Sequence, residues 1–265
     1  MTEYTKTSWS SVKRHKERAV YDYETIHGIV NQTSILHVSF LPTSPETNPF
    51  PTTLPMLGIM ASFHNPSPIE PNSEPLDLYL HGHASSRLMK LPSSSEASAE
   101  GLPVCIAATI LDGIVLALTP FNHSCNYRSA VLHGHATIVT DEAEKSFAMQ
   151  LITDGLVPKR WDNSRVPPSK AEVTSTGVLK VTIVSASAKI NVGGPSDDRK
   201  DLANDEVTGR VWTGVMPVYE RFGELRVGEK NKVPRAPKYL TDWREETNNS
   251  REKYASEAAI SKKKT

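Results

Sequence analysis

Leu78-Tyr-Leu-His-Gly-His-Ala-Ser-Ser-Arg-Leu-Met-Lys90 is the stretch on which the reading of this chain turns. It opens as an apolar strand and breaks at Gly82. Two hydroxyls and a cation then follow in a row (Ser85, Ser86, Arg87), ahead of a short helical run. A strand that stops at a Gly/Ser turn and enters a helix leaves backbone N–H groups without partners. With Arg87 beside them, such groups make an anion site, most naturally for phosphate. The same residues also read as a plain capped helix with Arg87 in a surface ion pair.

Working outward, the flanking segments read mostly as strands. Residues 21–32 place Ile26, Ile29 and Val30 at helical spacing behind Asp22, a fair N-cap. Residues 34–41 alternate as a strand, and 53–61 form another, in which Pro55 implies an edge or a bulge. Residues 104–111 and 114–118 are apolar runs split by Asp112-Gly113, a strong hairpin signal. A long strand is expected over 129–140, a helix from Asp141 to about Gly155, and a short helix over 169–173. Residues 177–186 alternate cleanly, 191–209 read as loop, and 210–221 as the last strand. The segments 42–52, 62–76 and 91–100 read as loops, the first two Pro-rich. Six to eight strands, mostly hairpin-connected, with helices at the edges, describe a mainly β fold of barrel or sandwich type. No βαβ alternation and no GxGxxG speaks for a Rossmann domain.

Composition narrows the function classes. The 265 residues hold 30 Lys and Arg against 30 Asp and Glu, so no charge excess points to nucleic acid. Nineteen prolines fit a compact core with long loops. Cys105 and Cys125 sit in or beside apolar runs and read as reduced thiols. With neither a signal-peptide pattern nor an apolar run of spanning length, a soluble cytoplasmic protein is expected.

Three further patterns carry chemistry. Phe121-Asn-His-Ser-Cys-Asn-Tyr-Arg-Ser129 is dense in hydrogen-bonding side chains, read either as an ordered turn or as donors for a polar ligand. The pentapeptide Leu80-His-Gly-His-Ala84 recurs as Leu132-His-Gly-His-Ala136. His at i and i+2 on a strand share a face and can hold a metal, but no carboxylate stands close enough to complete a site. Satisfied barrel histidines, with no metal, are therefore expected. In Val211-Trp-Thr-Gly-Val-Met-Pro217, Trp212 reads as a core residue or as a flat wall against a planar ligand, with Gly214 allowing close approach.

In this order the segments resemble the pyridoxamine 5′-phosphate oxidase-like flavoproteins with the FMN-binding split barrel, and within them the flavin-nucleotide-binding branch related to nitroimidazole-resistance reductases. The match runs over residues 18–220. It is carried by Arg18-Ala-Val-Tyr-Asp22, Leu36-His-Val-Ser-Phe40, Leu54-Pro-Met-Leu57, the stretch 78–88, Val115-Leu-Ala117, Asn122–Ser129 with Gly134, Val157-Pro-Lys-Arg-Trp161, Ser187-Ala-Lys189 and Trp212-Thr-Gly-Val215. The resemblance implies a split β-barrel over 18–224, an N-terminal extension over 1–17 and a polar tail over 225–265 that is partly helical or disordered. It also implies a homodimer with FMN in a groove between subunits. Ser85, Ser86 and Arg87 would then hold the FMN phosphate, and Tyr127, Arg128 and Ser129 the phosphate and ribityl chain. Pro55, Met56 and Thr109 would lie along the isoalloxazine, with His81 at the strand end and Trp212 near the ring.

The resemblance also has gaps. The Arg-x-Val-Leu-Leu-Lys strand of true pyridoxamine phosphate oxidases is here Thr53-Leu-Pro-Met-Leu57, without the cation, and their C-terminal Arg-Leu-His-Asp-Arg motif is missing. Asn191 stands where the nearer branch has an Arg. The expectation is therefore an FMN-dependent oxidoreductase acting on a small organic substrate other than pyridoxamine phosphate. His37, His81 or His123 is the candidate proton donor, on their near-neutral imidazoles. A non-catalytic flavin-binding protein and a haem-binding relative on the same barrel are the alternatives.

Overall fold

Asp22 opens the first helix by accepting a hydrogen bond from the Thr25 backbone N–H at 2.8 Å, and Ile26, Ile29 and Val30 turn its apolar face inward. The structure is a computed structural model and describes residues 2–42, 49–67, 72–93 and 99–263. In chain order the elements are β1 (Ala19–Val20), α1 (Tyr23–Gln32), β2 (Leu36–Phe40), β3 (Thr52–Met56), β4 (Gly58–Ala61), β5 (Asp77–His83) and α2 (Arg87–Lys90). There follow β6 (Leu102–Leu116), β7 (Ser124–Ile138), α3 (Glu142–Leu156), α4 (Lys170–Ser175), β8 (Thr176–Asn191), α5 (Arg199–Leu202), α6 (Asp205–Arg210), β9 (Gly214–Pro217) and α7 (Lys238–Ile260). The expected loops at 42–52, 62–76 and 91–100 lie partly outside the described residues, which omit 43–48, 68–71 and 94–98.

The strands form one open, mainly antiparallel sheet in the order β3-β2-β6-β7-β8-β5-β4, with β1 added to β8 and β9 to β6. This is a split barrel. Pro55 lies in β3, at one end of that order, where a missing N–H costs no ladder bond. Among the described residues no helix is long and apolar enough to cross a membrane.

The chain divides into two compact units, residues 1–109 with 129–189, and 110–128 with 190–265. In the first, strand alternation buries Leu36 and Val38 of β2, Ile106 of β6, Leu132 of β7 and Leu179 and Val181 of β8. Leu78, Tyr79 and Leu80 are all buried, because β5 is covered on both faces. Leu78 and Leu80 face this core, and Tyr79 packs with Ala148 and Ile152 of α3. The Tyr79 hydroxyl donates to Glu144 at 2.7 Å, and Lys180 holds the same carboxylate at 2.9 Å. Gly134 is required where β7 meets β8, since a Cβ there would stand 2.3 Å from the Thr182 carbonyl oxygen.

In the second unit, Asn191 Nδ2 donates to the Cys125 carbonyl at 2.7 Å, and Asn126 Nδ2 to that of Gly193 at 3.2 Å. The helix α7 packs within this unit: Ala255 and Ala258 are buried, Asn248 hydrogen-bonds the Phe222 backbone in both directions, and Trp243 packs on Phe222.

The structure corrects four expectations. Asp112-Gly113 makes no hairpin, and β6 runs straight through it. The Asp112 carboxylate is bound by Arg128, and a Gly113 Cβ would stand 2.9 Å from Val215 of the paired strand β9. Most of the polar loop 121–129 is strand. Its inward positions are Asn126 and Arg128, so polar residues hide the period of two. The last strand shrinks to Gly214–Pro217, because Asn204 caps a helix through Asp205–Arg210 instead. The segment 53–61 is two strands interrupted at Leu57.

Candidate active site

The strand β5 continues through Gly82 to His83, and the Ser85–Arg87 turn follows. Fewer backbone donors are free there than the sequence suggests. The Ala84 N–H donates to the Ser175 carbonyl at 2.8 Å, that of Ser86 to the His83 carbonyl at 2.8 Å, and that of Ser85 to His83 Nδ1 at 3.2 Å. The helix α2 has only four residues and little dipole. Anion binding here therefore falls to side chains. Ser85, Arg87, Lys90 and Leu91 line a cleft of about 330 Å³. Arg87 is exposed and steadied by one hydrogen bond, Nη2 to the Pro42 carbonyl at 2.8 Å. The Ser86 side chain makes no capping bond. Lys90, a second cation on the cleft, was not anticipated.

Register brings several candidates onto one sheet face. His37 pairs with Pro55 on one side and Ala107 on the other, and Thr109 lies two residues beyond Ala107. His37, Pro55 and Thr109 are exposed together on this outward face. Met56 turns the opposite way and packs against the core. His81 is half-buried, its Nδ1 is buried without a hydrogen-bond partner, and burial holds its basicity below the usual range. Ser129 donates to the Lys189 carbonyl at 3.2 Å.

The candidates in the second unit are committed differently. Arg128 is buried, its Nε and Nη2 donate to Asp112 at 3.0 and 2.8 Å, and its guanidinium lies 3.7 Å from the ring centre of Tyr254. Tyr127 is half-buried. His123 is exposed and its Nδ1 donates to the Thr119 carbonyl at 2.8 Å. Trp212 is not a core residue, being 68 % exposed, and its own indole takes the space over Gly214 that was expected to admit a ligand.

A second cleft in the first unit, of about 480 Å³, is lined by Trp9, Phe40, Leu41, Val104 and Val184, with Ser39, Cys105, His133 and His135 among its polar members. Here the expectation of satisfied histidines fails. The Nδ1 of His133 is buried with no hydrogen-bond partner, and burial lowers the ring's basicity. His135 has Glu100 at 3.5 Å. Among the described residues no three His, Cys, Asp or Glu side chains gather as a metal site.

The family model for pyridoxamine 5′-phosphate oxidase matches residues 22–190, well over half of the chain. The chain belongs to the pyridoxamine 5′-phosphate oxidase family. Within this flavin-binding family, the flavocytochrome Anf3 from Azotobacter vinelandii has 29 % sequence identity and a TM-score of 0.71, covering 90 % of this chain and 97 % of its own. The FAD and haem binding protein from Mycobacterium smegmatis has 21 % identity and a TM-score of 0.68, covering 86 % and 97 %, and so shares the fold. No curated protein sequence matches the chain.

For this member of the pyridoxamine 5′-phosphate oxidase family, two functional candidates escaped sequence reading. Lys90 follows Arg87 by three residues, a helical neighbour spacing that was there to be read. Trp9 sits in a segment without periodic pattern, and nothing local connects it to the cleft it lines.

Proposed function

We propose that the protein is an FMN-dependent oxidoreductase acting on a small organic molecule, distinct from true pyridoxamine phosphate oxidases, and working in the cytoplasm as a homodimer with FMN at the subunit interface. The observation that carries this reading is the cleft lined by Ser85, Arg87 and Lys90 at the point where the family resemblance puts the flavin phosphate. Two cations and the Ser85 hydroxyl suit a phosphate dianion. When bound, the flavin supplies the two-electron redox chemistry. The chain's own part is to hold and orient it. Arg87, Lys90 and Ser85 anchor the phosphate, with Ser86 next in the turn. Pro55 and Thr109 form the surface along the ring. His37, exposed beside Pro55, is best placed of the three histidines to pass a proton to a substrate.

The test is the absorption spectrum of the purified protein, followed by identification of the released flavin. Bands at about 370 and 450 nm, bleached by NADH, NADPH or substrate, are expected. A protein that takes up no flavin overturns the reading, released FAD corrects the cofactor, and a bound flavin that no donor reduces marks a flavin carrier. Arg87→Ala should weaken FMN binding more than about tenfold, the loss of a charge-assisted contact of about 1.5–3 kcal/mol. Fluorescence titration of the apoprotein checks it, and unchanged affinity moves the phosphate site elsewhere.

A second reading adds haem to the flavin. The apolar cleft with the unpartnered His133 favours it, as does the A. vinelandii relative, a flavocytochrome. A Soret band at about 400 nm in the same spectrum tests it.

A further inference from the structure

We propose that residues 225–237 form an arm that clasps a second copy of this chain on the acidic surface of α5 and α6. The assignment rests on the homodimer in the reading above and names a segment that would hold it. The arm lies between β9 and α7, and both its ends are fixed. The Arg244 guanidinium donates to the Gly223 carbonyl at 3.1 Å, and the Asn248 side chain holds Phe222. At the other end α7 begins at Lys238. Between these anchors there is neither helix nor strand, and every residue is exposed. Nothing lies within 4 Å of where a Gly228 Cβ would stand. Pro234 and Pro237 favour an extended chain. A connection this long with no structure of its own is uncommon in a compact unit unless it has a task.

The chemistry of the arm names its partner. It holds Arg226, Lys230, Lys232 and Arg235 against Glu229 alone. Among the described residues Lys230, Lys232 and Arg235 form no ion pair; the pairs of this region go to Lys238, Arg244 and Arg251. The whole chain balances 30 cations with 30 acids, so the excess on the arm is matched by acids elsewhere on the same sequence. An acid excess stands at 197–206, in the same unit, where Arg199 and Lys200 offset only part of it. Asp197 is committed to the Leu118 N–H at 2.9 Å. Among the described residues Asp198, Asp201, Asp205 and Glu206 form no ion pair. Exposed ion pairs alone hold little. Apolar contact adds to them: Val227 is 81 % exposed and Val233 56 % on the arm, and Leu202 is 56 % exposed among the acids. An arm fixed at both ends leaves its own cations unmatched, so the acids it meets are those of the second copy. In a two-fold dimer each copy gives one arm and receives one.

The experiment is sedimentation velocity of the purified full-length protein over a concentration series, with flavin content measured in parallel. Carbodiimide cross-linking of a mixture of isotope-labelled and unlabelled chains follows. Wild type should dimerise, and more weakly as salt rises. Lys230→Glu, Lys232→Glu and Arg235→Glu together should raise the dissociation constant at least about tenfold. Asp198→Lys, Asp201→Lys and Asp205→Lys together should do the same, and all six changes combined should restore it. Each variant should keep the wild-type circular dichroism. Cross-links from Lys230 or Lys232 to Asp198, Asp201, Asp205 or Glu206 should join labelled to unlabelled chains. A wild type that stays monomeric overturns the homodimer reading and the clasp with it. If that monomer binds polyglutamate through the arm, the partner is a foreign acidic chain instead. A dimer that neither set of charge changes weakens overturns the clasp alone, as do cross-links confined to single chains. Variants that weaken the dimer separately but do not recover in combination overturn the assignment of the acidic surface.

Discussion

Replacing Asp112 with alanine should cost about 3–5 kcal/mol of stability, seen as a large fall in the urea midpoint. Asp112 is 3 % exposed and Arg128 9 %, so both charges are out of water. Each is tolerable because the other is there: two parallel N–H···O bonds at 3.0 and 2.8 Å join them, and the Tyr254 ring covers the guanidinium. Removing the carboxylate leaves a cation that cannot discharge, in a site built to exclude water. The pair is not worth this amount by itself, since bringing both ions out of water offsets much of their attraction. Asp112→Leu combined with Arg128→Met should therefore recover most of the loss. A double variant as unstable as Asp112→Ala would refute the explanation.

The second large effect is an acid sensitivity centred on His27. This residue is buried, stacks on Tyr23, and its Nε2 lies 2.8 Å from the Tyr4 hydroxyl. Burial is the main cause that brings its pKa down to about 4. As pH falls, the unfolded chain protonates this imidazole through about 6.5, while the folded chain resists until about 4. In that window the unfolded state holds more protons, so stability is full above about pH 6.5 and declines toward pH 4. The decline due to His27 should approach about 3 kcal/mol. His81 and His133, whose basicity burial also lowers, add slopes of the same sign. The difference between wild type and His27→Gln isolates the one residue. Parallel stability curves for the two proteins between pH 4 and 7 would rule out His27 as the source.

Much of the first unit is legible in the sequence. The alternation at 34–41 and 177–186, the helical spacing after Asp22 and the cap at Asp141 recur as β2, β8, α1 and α3. Local physics decides each of these: a period of two or 3.6, or a side-chain oxygen within reach of an N–H three residues on. Two stretches of the second unit read differently for one reason. Asp112-Gly113 and Asn122–Ser129 have the chemistry of turns when they stand alone, yet both fall largely within long strands. Arg128 satisfies Asp112 across 16 residues, and Asn191 reaches Cys125 across 66. Partners so distant in the chain leave no mark on a local pattern.

The candidate sites divide along the same line. The Ser85-Ser86-Arg87 turn could be found from sequence, because strand, turn and helix start are contiguous. That its backbone donors are mostly spent, and that Lys90 supplies a second charge, depended on the folded turn. The sequence by itself determined the family, the strand and helix periods and the repeated Leu-His-Gly-His-Ala pentapeptide. Only the tertiary structure decided which histidines are paired and which stand bare. In both pentapeptides the first histidine has a buried Nδ1 without a partner, and the second has one, Ser85 for His83 and Glu100 for His135, because burial and partners come from the surrounding strands and turns rather than from the letters themselves.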